Sequence, residues 1–153
     1  MDARHMAALE LILSRLEGRD VNWALTGSMS FALQGVPVAV DDIDIQTDQA
    51  GAYELERCLA EFVQRPVSFS AAERIRSYFG VRVEIMGDIQ KRLPDGTREE
   101  PVDPRRHRVF VAVGDRQVPV LSLEYEYTAY LALGRTEKAR LLQRWLASRG
   151  RPD

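Results

Sequence analysis

The sequence predicts a mixed α/β (α+β) domain, with a small mixed β-sheet and helices packed mainly on one of its sides. Three observations lead there. Short apolar runs at residues 21–26, 42–47 and 81–86 have strand length, and the last alternates cleanly. Between and around them lie segments whose apolar residues recur at helical spacing. After Ser122 two helical segments follow in succession, a pair that closes the chain. The 153 residues fit one domain, with a core at about 21–121 and closing helices at about 122–148.

In chain order, residues 3–17 carry Met6, Leu9, Ile12, Leu13 and Leu16 on one helical stripe, with Gly18 as the stop. Residues 21–26 form the first strand, ended by Gly27-Ser28, and residues 29–34 give two turns of helix closed by Gly35 and blocked by Pro37. Residues 42–47 are the second strand. Asp48 caps a helix through about residue 63, whose inward face carries Tyr53, Leu55, Cys58, Leu59 and Phe62. Residues 66–69 fit an edge strand. Ser70 and Glu73 fit a capping box for a brief helical turn, while residues 75–79 fit an extended segment equally well. In the third strand Val81, Val83 and Ile85 take one face and Arg82, Glu84 and Met86 the other. Residues 91–106, with Pro94, Gly96, Pro101 and Pro104, read as a long surface loop. Residues 108–113 and 117–121 flank Gly114 as a hairpin. Ser122 caps a helix to Leu133, Gly134 breaks it, and Thr136 caps the last helix to about Ser148.

Hydrophobic residues make up 45% of the chain, charged ones 29%, and the net charge is −2, so no global basic field marks a nucleic-acid binder. A single cysteine, Cys58, rules out an internal disulfide and sets a reducing, cytoplasmic compartment as the expectation. The amino terminus lacks a signal-peptide pattern, and no apolar run approaches the roughly 18 residues of a membrane span.

One constellation carries chemistry. Asp42 and Asp44 alternate with Ile43 and Ile45, so both carboxylates project to one face of a strand whose other face enters the core. Two like charges side by side call for a cation between them, and a hard divalent metal suits carboxylate oxygens. Upstream, Gly27-Ser28 sits at a strand-to-helix junction suited to phosphate oxygens. Gly27 permits close backbone approach and Ser28 adds a hydroxyl. Glu84 contributes a third acid from the middle of an apolar strand. Three acids beside a phosphate cradle describe a two-metal phosphoryl- or nucleotidyl-transfer site.

This ordered set, strand–Gly27-Ser28–helix, then Asp42-Ile43-Asp44-Ile45, then Glu84 between Val83 and Ile85, resembles the nucleotidyltransferase superfamily shared with DNA polymerase beta. Within it the chain looks like a minimal prokaryotic member, akin to the antitoxin, abortive-infection and antibiotic-modifying types. The resemblance covers residues 21–86 and implies the nucleotidyltransferase fold. It also implies a triphosphate at Gly27 and Ser28, and two magnesium ions (with manganese as a substitute) held by Asp42, Asp44 and Glu84. The implied reaction transfers a nucleoside monophosphate from a nucleoside triphosphate to an acceptor hydroxyl on a small molecule, a protein or an RNA. Glu84 doubles as the acceptor of the hydroxyl proton. Two positions depart from the pattern: Gln34 stands where many minimal members have arginine, and Asp41 where they often have serine.

A rival reading is a catalytically silent module of the same fold that binds a nucleotide or a partner protein. A homodimer or a partner chain could complete the cleft. Arg135 and Lys138 read as solvated helix-end cations, with a phosphate role as the alternative; Arg82 reads as a salt-bridge partner for Glu84. His5 and His107 are too isolated for a zinc site, and Cys58 is a packing residue. Trp23, Trp145, Tyr125, Tyr127 and Tyr130 are expected in the core or between helices. Lys91, Arg92, Arg98, Arg105, Arg106 and Arg108 form a basic stretch that is a solvated loop or steers a polyanion.

Overall fold

A computed structural model describes residues 2–65, 73–78, 81–87 and 102–149. Helix α1 (Ala3–Leu16) is capped by Asp2, whose side chain accepts from the N–H groups of Arg4 and His5, and it buries Ala8, Leu9, Ile12, Leu13 and Leu16. Strand β1 (Trp23–Thr26) leads directly into helix α2 (Gly27–Leu33), so Gly27 and Ser28 are the first residues of that helix. Strand β2 (Ile43–Thr47) follows, then helix α3 (Gln49–Cys58), with the Asp48 carboxylate accepting from the Gly51 N–H as its cap.

The α3 helix is shorter than its apolar pattern suggested. A 3₁₀ turn at Ala60–Phe62 intervenes, and Val63–Arg65 becomes strand β3, because its backbone pairs with strand β4 (Glu73–Tyr78). The extended alternative for residues 75–79 therefore holds over 75–78. The proposed edge strand at 66–69, the capping residue Ser70 and most of the basic loop, with Lys91, Arg92 and Arg98, fall outside the described residues. Strand β5 is Arg82–Gly87. The end of the expected loop is ordered differently: Pro104–His107 is a single helical turn, α4, capped by Asp103 and started by Pro104 at the position where a missing N–H costs nothing. The hairpin forms as expected from β6 (Arg108–Val113) and β7 (Arg116–Leu121), around Gly114 at φ 62°. Helices α5 (Leu123–Ala132) and α6 (Thr136–Arg149) close the chain; the Ser122 side chain accepts from the Tyr125 N–H to cap α5.

The seven strands of the described residues form one mixed sheet in the order β3-β4-β5-β2-β1-β7-β6. Two of its pairings are parallel, β2 with β5 and β1 with β7, and the rest are antiparallel. On one face Leu25, Ile43, Ile45, Val83, Ile85, Val118 and Val120 pack with the apolar stripes of α1 and α3. Cys58 sits at the edge of this cluster, as expected. A second apolar cluster joins Phe31 and Val36 to Leu123, Tyr130, Ala139 and Leu142, with Trp145 and Tyr127 against it; it anchors the closing helices α5 and α6 beside α2. The sheet face away from α1 and α3 is left for chemistry.

Candidate active site

Asp42 lies one residue before β2 and Asp44 inside it. The parallel register sets Asp44 beside Glu84 of β5, and the antiparallel register sets Thr26 of β1 on its other side. Alternation turns these acids away from Ile43, Ile45, Val83 and Ile85, which are fully buried. Asp42 and Asp44 face a cleft of about 610 Å³. Thr26, Gly27, Ser28, Asp41, Asp42 and Asp44 line one side, and Tyr125, Glu126, Tyr130, Arg135 and Lys138 of the closing helices line the other. Four of the five residues expected from sequence thus line one cleft, and Glu84 joins them as the register partner of Asp44 on the same face of the sheet. Arg135 and Lys138, read as solvated, line the same cleft.

The electrostatics are those of crowded carboxylates. The Asp44 carboxyl is pushed up to about 6, first by burial, then by the charges of Glu84 and Asp42, with Lys138 and Arg82 opposing. Arg82 supplies the cation that the acid pair requires. Its Nε and Nη2 both donate to Asp42 Oδ2, at 2.9 and 2.6 Å, and its Nε lies 4.0 Å from Glu84 Oε1. The salt bridge expected between Arg82 and Glu84 is therefore the weaker of two, because Asp42 accepts both short bonds. Among the described residues, no three His, Cys, Asp or Glu side chains converge into a ready-made metal site. The donor chemistry nevertheless suits a hard divalent cation: Asp44 remains under-compensated while the guanidinium is spent on Asp42.

Gly27 has a specific steric reason. Its φ is 72°, and a Cβ there would lie 2.6 Å from Asp44 Oδ2, so only glycine lets the turn pass over that carboxylate. Ser28 Oγ accepts from the Asp41 N–H at 3.2 Å, which leaves its own hydroxyl proton to donate elsewhere. His5 Nε2 lies 2.7 Å from the Asp41 carbonyl, so α1 helps to fix the approach to β2. Gln34 also has a structural duty: its Nε2 donates to the Leu121 carbonyl at 2.9 Å, tying the end of α2 to the end of β7.

Sequence reasoning missed Glu126. It is 3% exposed, its carboxylate accepts from the Thr26 hydroxyl, and the Gly27 N–H faces it. Burial pushes it up to about 7 against the pull of those two donors. A signal was present: Leu123, Glu126 and Tyr130 share the buried stripe of α5, and a glutamate on such a stripe calls for partners.

The sheet order, the acids on β2 and β5 and the turn at Gly27 define a nucleotidyltransferase fold. The sequence model for aminoglycoside-2''-adenylyltransferase matches residues 8–143, and the chain belongs to that family; it is an enzyme of the nucleotidyltransferase class. A Thermotoga maritima protein provisionally described as a nucleotidyltransferase is 52% identical, over 97% of this chain and 96% of that one, with a TM-score of 0.84. Two further solved structures share the fold at low identity. One is the antibiotic-resistance factor ANT(2'')-Ia, at 18% identity and TM-score 0.66 over 95% of this chain and 86% of that one. The other is the lincosamide antibiotic adenylyltransferase LnuA in its lincomycin-bound form, at 14% identity and TM-score 0.62 over 94% and 96%. No curated protein matches the sequence. No helix among the described residues is long and apolar enough to cross a membrane.

Proposed function

We propose that the chain is a metal-dependent nucleotidyltransferase that moves a nucleoside monophosphate from a nucleoside triphosphate to an acceptor hydroxyl. The observation that carries this is the placement of Asp42, Asp44 and Glu84 together on one sheet face, with the two aspartates beside the Gly27-Ser28 turn and across a cleft from Lys138. Asp42, Asp44 and Glu84 are the residues that would hold divalent metal, magnesium or manganese in its place. Bound there, the metal would neutralise phosphate charge and lower the pKa of the acceptor hydroxyl.

The chain's own groups have distinct tasks. Ser28 donates its hydroxyl proton to a phosphate oxygen. Gly27 contributes room, since a Cβ there would collide with Asp44 Oδ2. Lys138 and Arg135 carry positive charge on the opposite wall, where a triphosphate needs it. Glu84 accepts the proton of the acceptor hydroxyl as the new oxygen–phosphorus bond forms at the α-phosphorus and pyrophosphate leaves. The family and the named neighbours support an adenylyl donor and an antibiotic-like small molecule as acceptor. A protein or RNA hydroxyl is the alternative acceptor.

A second reading has one observation in its favour. Arg82 holds Asp42 and reaches towards Glu84, as it would in a module of this fold that binds nucleotide without turning it over. Pyrophosphate release separates the two. Wild-type protein with magnesium, a nucleoside triphosphate and a panel of hydroxylated acceptors should release pyrophosphate, and Glu84→Ala should not. Tight nucleotide binding with no release for any acceptor would favour the silent module.

A further inference from the structure

Among the described residues, the Glu126 carboxylate is the one deeply buried acid that the reaction leaves without a task. It accepts from the Thr26 hydroxyl at the end of β1, faces the Gly27 N–H at the start of α2, and lies one helical turn before Tyr130 on α5. Each neighbour leads somewhere useful. Thr26 is the register partner of Asp44, and Gly27 passes so close to Asp44 Oδ2 that no Cβ fits between them. Tyr130 packs edge-on against Phe31 of α2, with ring centroids 5.9 Å apart, and its ring lies 5.5 Å from the Lys138 ammonium of α6.

We infer that Glu126 is a positioning residue that sets the separation between the Gly27-Ser28 turn and Lys138, and so fixes the width of the triphosphate-binding part of the cleft. The inference rests on the reading of that cleft as a nucleotide site. A hydrophobic residue at this position would bury the helix pair equally well, but it would leave the Thr26 hydroxyl without its acceptor under the nucleotide turn. The carboxylate, bonded to Thr26 and carried on the same helix as Tyr130, holds the turn, α5 and, through the Tyr130 ring, the lysine of α6 in one arrangement before ligand arrives. Pre-organisation of this kind acts on ligand affinity beyond its effect on folding.

The test is calorimetric titration of the full chain with the magnesium complexes of ATP, GTP, CTP and UTP, at least 15 °C below the melting temperature of every variant. Glu126→Gln keeps the shape and one acceptor oxygen but turns an NH₂ group towards a donor. It should weaken the nucleotide that wild type binds best by about tenfold, while the variant stays folded by circular dichroism. Thr26→Val should weaken it by a few-fold. Combined with Glu126→Gln it should add little, because both changes break the same bond. Should Glu126→Gln fail to fold, Thr26→Val and Tyr130→Leu serve in its place, the first breaking the Thr26–Glu126 bond and the second removing the ring beside Lys138, each expected to weaken binding by a few-fold. Unchanged affinity in folded Glu126→Gln, or in both substitutes, would overturn the inference and leave the nucleotide site standing. Failure of wild type to bind any of the four nucleotides would overturn both.

Discussion

Strands β2 and β5 have two faces that obey opposite rules. On one, Ile43, Ile45, Val83 and Ile85 are fully buried against α1 and α3. On the other, one residue along in each case, Asp42, Asp44 and Glu84 crowd one another, and burial and like charge push Asp44 up to about 6. The first face holds the sheet together through removal of apolar area from water. The second works against stability, because carboxylates that repel one another are kept near each other. The same backbone supports both because the strand period of two separates them completely. Stability should therefore follow one set of residues and chemistry the other.

The largest test of that division is Asp44→Asn. It should lower pyrophosphate release at least ~1,000-fold, equivalent to about 4 kcal/mol of transition-state stabilisation. In metal-free buffer its melting temperature should equal or exceed that of wild type, since one like charge has gone from the cluster. A clear drop in melting temperature would mean that Asp44 belongs to the structural face as well.

Ile45→Ala is the mirror experiment, one residue away. A fully buried isoleucine cut to alanine costs roughly 2–5 kcal/mol, which for a chain of this size lowers the melting temperature by roughly 10 °C. Activity per folded molecule, measured well below that temperature, should change by no more than about threefold. A loss comparable to that of Asp44→Asn would show that the two faces are coupled through the strand.

The pH dependence sharpens the contrast. Asp44 is raised from 3.8 to about 6 and Glu126 from 4.5 to about 7, so between those values the folded chain binds more protons than the unfolded one. Stability then falls as pH rises: the contribution of both groups is complete below about pH 4 and lost as pH passes 6 to 7. Metal-free wild type should therefore melt several degrees lower at pH 7.5 than at pH 5. Asp44→Asn should show a shallower fall and Asp44→Asn with Glu126→Gln a nearly flat profile. A melting temperature that rises over this range would contradict the placement of both acids.

The two faces were also unequally legible in the sequence. The apolar one follows from local alternation, which is why β1, β2, β5 and the hairpin appear nearly where their residues put them. Asp42, Asp44 and Glu84 were legible for the same reason, as polar breaks in apolar strands. What escaped depends on pairings across long separations. Glu126 meets Thr26 from 100 positions away, and only the insertion of β1 between β2 and β7 brings α5 over that turn. The helix after Asp48 ends early because β3 finds a partner in β4, a tertiary pairing that helical periodicity does not register. The reason for Gly27 was similarly hidden: the turn is local, but the carboxylate beneath it comes from the next strand.

The smallest effect concerns Arg82, which borders both regimes. It precedes buried Val83 on β5, yet its guanidinium lies on the cleft side at Asp42, with about half of its side chain exposed. An ion pair so open to water contributes only about 0–1 kcal/mol, so Arg82→Gln should move the melting temperature by no more than about 3 °C. Its effect on cations should be larger than its effect on folding. With the guanidinium gone, Asp42 loses the positive charge bonded to it, and titration of the nucleotide-free protein with manganese should show binding a few-fold tighter than wild type. Tighter binding with little change in melting temperature would place Arg82 on the functional side of the strand, as a cation that divalent metal must displace. Equal manganese affinity in the two proteins, with a melting temperature lowered by 10 °C or more, would place it with the isoleucines.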